Sequence, residues 1–164
     1  MTEHTEQHDE QPAHRPLSPK AKSVFAVLLV LIVGFIIMRQ RFLPEPKGWI
    51  NNDLPKAQEL ARNEGRNLLI LFVESPPSDR DRKLRRGTLG KGDNIRAVRD
   101  YNLVAVMVRV DRKNRQELME TYKLSRDALP ALLILDPEGN ELARDEGGIG
   151  ETAFRDTFLK DALD

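Results

Sequence analysis

The run Leu68-Leu69-Ile70-Leu71-Phe72-Val73 constrains this chain more than any other stretch. A continuous apolar segment of that length, bounded by polar and turn residues, suits a central strand covered on both faces. It implies an α/β domain with helices above and below its sheet. The run breaks at once into Glu74-Ser75-Pro76-Pro77-Ser78, a turn. The residues after it read as a helix start, because Pro fits a first turn and Ser, Asp and Arg crowd around it. Strand-to-helix turns of this kind are where α/β folds place their chemistry. The turn is therefore the first candidate site.

Composition limits what that site can do. With 164 residues and 40% apolar content, the chain holds one ordinary domain and an appendage. Charged residues balance at 26 basic against 26 acidic, so nothing draws the whole molecule to nucleic acid or to an anionic surface. Cysteine is absent, which excludes disulfides, thiolate nucleophiles, iron–sulfur clusters and cysteine zinc sites. The histidines are His4, His8 and His14, so residues 15–164 contain none. A domain without His or Cys lacks the commonest general base, nucleophiles and transition-metal ligands. No cofactor and no metal site are expected, and most enzyme classes are disfavoured.

The N-terminal 50 residues read as appendage. Residues 1–22 are polar and proline-bearing, a disordered tail in which His4 and His8 are solvated rather than metal-bound. Ser23 to Met38 carries no charge and is bracketed by Lys20 and Lys22 before it and by Arg39 and Arg41 after it. As a helix it rises about 24 Å at 1.5 Å per residue. Snorkelling Lys and Arg make up the difference to a hydrocarbon core of roughly 30 Å. No small-x-small cleavage site comes after it, and the segment has no polar face to match a core helix. An uncleaved single-span anchor over 23–41 is expected, making the protein a single-pass membrane protein. Arg15, Lys20 and Lys22 precede the span while Arg39, Arg41 and Lys47 lie beyond it, so charge leaves its orientation open. Residues 42–50, with Pro44, Pro46 and Gly48, form a stiff linker to a domain over 51–164.

Within the domain, Asn51, Asn52 or Asp53 caps a helix from Leu54 to Asn63, which Gly65 stops. After the turn, Asp79 to Arg86 forms a basic helix with Arg80, Arg82, Lys83, Arg85 and Arg86. Without interleaved aromatics it reads as a solvated face with local ion pairs. Gly87 to Asp93 is a loop. It fails as a P-loop because Gly92 stands where Ser or Thr should hold magnesium. Asp93 caps a short helix to Tyr101. Asn102 to Asp111 is a Val-rich strand, Arg115 to Tyr122 a helix, and Ala128 to Leu135 a strand entered through Pro130. Asp136-Pro137-Glu138-Gly139-Asn140 turns into a hairpin strand over Glu141 to Arg144. A helix from Glu151 to Ala162 ends the chain, with Phe154, Phe158 and Leu159 on one face.

This order of elements resembles a thioredoxin-like domain. The Phe72-to-Ser78 turn resembles that family's Trp-Cys-x-Pro-Cys, with Pro77 in its proline slot. Val108-Arg109-Val110-Asp111 resembles the family's next strand. Leu129-Pro130-Ala131-Leu132 resembles its cis-proline segment, and Asp136-Pro137-Glu138-Gly139 its hairpin. The resemblance implies a three-layer α/β/α domain after the anchor and a cis Leu129–Pro130 bond lying beside the turn. It also implies that Ser75 and Ser78 occupy both cysteine positions and that Glu74 replaces the tryptophan. Redox exchange needs a thiolate, so thiol–disulfide oxidoreductase activity is excluded.

What the resemblance leaves is a surface that pairs with an extended peptide by backbone hydrogen bonds. The leading expectation is a non-catalytic, membrane-tethered module binding a protein or peptide at Glu74, Ser75, Pro76, Pro77, Ser78, Leu129 and Pro130. Ser75 and Ser78 would cap the helix. The plain alternative is local structure alone, with no partner. Two further alternatives are a structural subunit docking through the basic 80–86 helix, and a hydrolase using Ser75 or Ser78 with Lys83. The resemblance puts the domain on the extracytoplasmic side.

Overall fold

The strand anticipated at Leu68 forms as Leu68–Glu74 at the centre of a five-stranded sheet in the computed structural model, which describes residues 28–33 and 48–164. In chain order the strands are β1 (Ile50–Asn51), β2 (Leu68–Glu74), β3 (Val104–Val110), β4 (Ala131–Leu135) and β5 (Glu141–Glu146). Across the sheet they run β1-β3-β2-β4-β5. β3 is parallel to both β1 and β2, while β4 is antiparallel to β2 and β5. Phe72 lies opposite Val108 on one side and Ala131 on the other. The end of β2 and the start of β4 therefore share one edge of the sheet.

Alternation along β2 divides the core. Leu68, Ile70 and Phe72 join Val104, Val106, Val108 and Leu133 on one face. That face is covered by α1 (Leu54–Glu64) through Ala57 and Ala61, and by α4 (Arg115–Thr121) through Leu118 and Met119. Leu69, Leu71 and Val73 join Met107, Leu132 and Ile134 on the other. That face is covered by Leu84 and Leu89, by Ala97, and by Phe154, Phe158 and Leu159. The result is the three-layer α/β/α sandwich. α1 is capped by Asp53, whose carboxylate accepts from Lys56 N, and ends at Gly65 with φ +60°.

Several local expectations need correction. The basic helix is α2 (Asp79–Lys83), running on through a π-helical turn at Leu84–Leu89, so Gly87 to Leu89 are helical rather than loop. Tertiary bonds hold this turn: Thr88 Oγ1 donates to Ile149 O at 2.8 Å, and Asn94 Nδ2 to Thr88 O at 3.0 Å. α3 (Gly92–Asp100) starts before Asp93, which sits in its first turn and pairs with Arg96 instead of capping. The C-terminal helix has three segments, α5 (Glu151–Ala153), a π-helical Phe154–Leu159 and α6 (Lys160–Leu163). β1 is an edge strand that straddles the expected linker boundary at residues 50 and 51, and β5 extends two residues past Arg144.

Residues 28–33 belong to a separate unit and form a helix whose apolar side chains are exposed. The remainder of the expected 23–38 span, the 1–22 tail and the linker to residue 47 lie outside the described residues. Among the described residues, no helix is long and apolar enough to cross a membrane.

Candidate functional site

The turn is built from Asp81 outward. Ser78 is the N-cap of α2, and its hydroxyl accepts from Asp81 N at 3.2 Å. Asp81 Oδ2 accepts in return from Ser78 N at 2.6 Å and Ser78 Oγ at 2.7 Å, and from Glu74 N at 3.3 Å. This is a capping box that also reaches back to the end of β2. Asp81 is wholly buried, at 0% exposure. One carboxylate thus fixes both ends of the turn. Pro76 and Pro77 precede the cap and lie outside the helix, not in its first turn. Ser75 is exposed and caps nothing, although its N–H donates to Val110 O at 3.0 Å. Of the two serines, Ser78 alone has the expected capping role.

Two X–Pro bonds here are cis: Ser75–Pro76 and, as the resemblance implied, Leu129–Pro130. Ala131 pairs with Phe72, so Leu129 and Pro130 come level with the end of β2. Both are buried, and Leu129, at 5% exposure, belongs to the core under α1 and α4. The Leu129 N–H and C=O form no backbone hydrogen bond with another described residue, whereas Ala128 O and Pro130 O both accept from Gly147 N. Gly148, at φ +102°, comes directly after that contact, and a Cβ there would stand 3.6 Å from Pro130 Cγ. That distance is an ordinary contact, so it is the positive φ that favours glycine here.

A depression of about 400 Å³ lies where these elements meet, bordered by Glu74, Ser78, Asp79, Arg80, Arg115, Asp127 and Leu129. Of the residues anticipated from sequence, it brings together Glu74, Ser78 and Leu129. Ser75, Pro76, Pro77 and Pro130 sit in the adjoining turn and strand start without lining it. Arg115 and Asp127 were not anticipated. Arg115 Nη1 stands 4.0 Å from Glu74 Oε1. Asp81 was missed too, although Ser78-x-x-Asp81 is a legible capping-box signal. A second depression of about 420 Å³ lies between α2 and the Gly147–Gly150 passage.

The alternative chemistries find little support in this geometry. Ser78 Oγ is committed to Asp81, and neither Ser75 nor Ser78 is hydrogen-bonded to Lys83 among the described residues. The basic helix presents less charge than its sequence suggests. Arg85 is buried at 7% exposure, and Arg82 pairs with Asp79 at 2.7 Å. Asp145, near Gly148, has its carboxyl raised above the usual range by burial, against a backbone hydrogen bond from Gly148. Its Oδ2 has no hydrogen-bond partner among the described residues.

Comparison with solved structures finds several similar chains. An oxidoreductase named DsbH is 22% identical with a TM-score of 0.54, over 74% of this chain and 91% of that one. A thioredoxin from Thermus thermophilus is 22% identical with a TM-score of 0.58, over 69% of this chain and 85% of that one. The DsbD C-terminal domain from Neisseria meningitidis, in its reduced form, is 16% identical with a TM-score of 0.54, over 68% of this chain and 99% of that one. No protein-family model matches the sequence, and no curated protein matches it. Likeness at these identities speaks for the fold. The domain is thioredoxin-like in fold, and it carries no cysteine.

Proposed function

We propose that this protein is a membrane-tethered, non-catalytic binding module that docks a protein or extended peptide between the 74–78 turn and the Leu129–Pro130 segment. The absence of cysteine argues against thiol–disulfide exchange by the chain itself. The observation that carries the reading is the main chain of Leu129, which has no backbone hydrogen bond among the described residues, beside the 74–78 turn. An unpaired N–H and C=O at a strand start invite an added strand, and this pairing mode needs no sulfur. Tethering rests on the charge-free Ser23–Met38 segment, and the extracytoplasmic placement on the resemblance.

The test places a photo-crosslinking residue at exposed Ser75 in the full-length protein, with a control probe at exposed Arg86 on the basic helix. A discrete adduct from position 75 in native membranes, competed by an extended peptide, is the expected result. An adduct from position 86 alone moves the function to α2 and makes the protein a structural subunit. Leu129 is a poor site for a disabling variant, because an acidic side chain there would enter the core.

A further inference from the structure

A third depression, of about 460 Å³, opens beside the groove. It is lined by Arg112, Arg115, Gln116, Met119, Leu124 and Arg126. Arg115 lines both depressions, and its Nη2 donates to Arg126 O at 3.2 Å. The two therefore share a wall at Arg115. None of the six lining residues is acidic. Several guanidinium groups are neutralised locally, as in Arg66–Glu64, Arg82–Asp79, Arg96–Asp93, Arg144–Glu141 and Arg155–Asp156, while exposed Arg62, Arg80 and Arg86 pair with no carboxylate among the described residues. Arg112 and Arg126 are exposed and have no such partner among the described residues. Beneath them lie partly buried Met119 and buried Leu124.

We propose that this depression receives an acidic continuation of the peptide held in the groove. An apolar side chain rests on Met119 and Leu124, flanked by Asp or Glu carboxylates that meet Arg112 and Arg126. The proposal rests on the groove reading for the course of the peptide, while the charge recognition is separate from it. Guanidinium forks match carboxylates in two-point contact, and Met adapts its shape to the apolar residue between them. The occupant is a peptide rather than a lipid surface because the depression shares Arg115 with the groove proposed to hold a peptide.

Fluorescence polarisation on the full-length chain tests this with three labelled peptides. The first is Glu-Leu-Glu-Val-Thr-Val-Thr-Val-Glu-Leu-Glu, with acidic flanks at both ends so that strand direction does not matter. The second has Gln for every Glu. The third is the first with alternate residues of the Val-Thr segment N-methylated. The Gln peptide is expected to bind roughly tenfold more weakly, as two or more exposed charge pairs allow. The R112Q/R126Q double variant should lose that preference, and molar salt should shrink it. Both substitutions are on exposed side chains, and unchanged far-ultraviolet circular dichroism confirms the fold. Equal binding of the Glu and Gln peptides overturns the acidic assignment, and if N-methylation still abolishes binding the groove reading survives. Binding that needs Arg112 and Arg126 but ignores N-methylation supports the acidic site and overturns the groove. No binding of any peptide overturns the proposal, and a preference of the parent for phosphatidylserine over neutral phosphatidylcholine vesicles that the double variant loses assigns the depression to a lipid surface.

Discussion

Replacing Asp81 by Ala removes the acceptor on which the whole turn converges. The loss can be sized from its hydrogen bonds. The Ser78 N–H at 2.6 Å donates to a buried carboxylate, and bonds to charged groups contribute about 1.5–3 kcal/mol each. The Glu74 N–H at 3.3 Å is longer and adds about 0.5–1 kcal/mol. The Ser78 hydroxyl is free to rotate, and it still accepts from the backbone at position 81, so it adds little. The expected cost is about 2–4 kcal/mol. Asp81→Asn keeps the shape and one acceptor oxygen, so it should cost about 1 kcal/mol. Urea titration followed by circular dichroism measures both. With an m-value of about 1.5 kcal/mol/M, the Ala midpoint falls by roughly 1.3–2.7 M while m is unchanged. Hydrogen exchange provides a local check, because the Glu74 and Ser78 amides should lose more protection than those of β4. A cost below about 1 kcal/mol for Ala, or equal costs for Ala and Asn, would refute the claim that this carboxylate organises the turn.

Other consequences concern charge and core. Burial raises the Asp145 carboxyl in the fold, so the native state holds its proton more tightly than the unfolded chain does. Stability from this group is present below the ordinary Asp pKa and is lost as pH rises through the raised value. Asp145→Asn should therefore stabilise the protein at pH 7 and not at pH 3, as thermal melts at the two pH values would reveal. Arg144 holds Glu141 below the usual carboxylate range, Glu146 is lowered first by the Ser125 hydroxyl and then by Arg144, and Arg144 also donates to Tyr122 O at 2.7 Å and Lys123 O at 2.9 Å. The stability that the depressed carboxylates supply is present above their ordinary pKa and is lost as pH falls through the lowered one. Arg144→Met should cost about 2 kcal/mol at pH 7 and progressively less toward pH 3, read from denaturation midpoints across that range. Leu129→Asp should cost more than about 3 kcal/mol by burying an unpaired carboxylate. Retained native stability in that variant would show that Leu129 can leave the core.

Much of the fold was legible because its signals are local. The β2 run, the Gly65 stop, the Asp136–Asn140 turn and the Phe154–Phe158 stripe each announce an element within a few residues. What escaped depends on distant partners. β1 is two residues long and carries no period; it exists because Ile50 pairs with Val106 across the sheet. Gly87 looked like a helix breaker, yet Thr88 and Asn94 tie that stretch to residues near the C-terminal helix. The site divides in the same way. Ser78 and its cap are written in four consecutive residues, whereas Arg115 and Asp127 reach the groove only through the packing of α4 and the approach to β4. Charge counting also misled at residues 80–86, because it treats Arg85 as surface although the fold buries it.

The sheet closes itself to its own kind. Open rows of main-chain N–H and C=O at a sheet border are templates on which identical molecules stack. Here one border is β1, only two residues long. The other is β5, Glu-Leu-Ala-Arg-Asp-Glu, whose charged side chains would have to be brought against their own copies before two borders could join. A charged border of this kind works against edge-to-edge stacking on the β5 side.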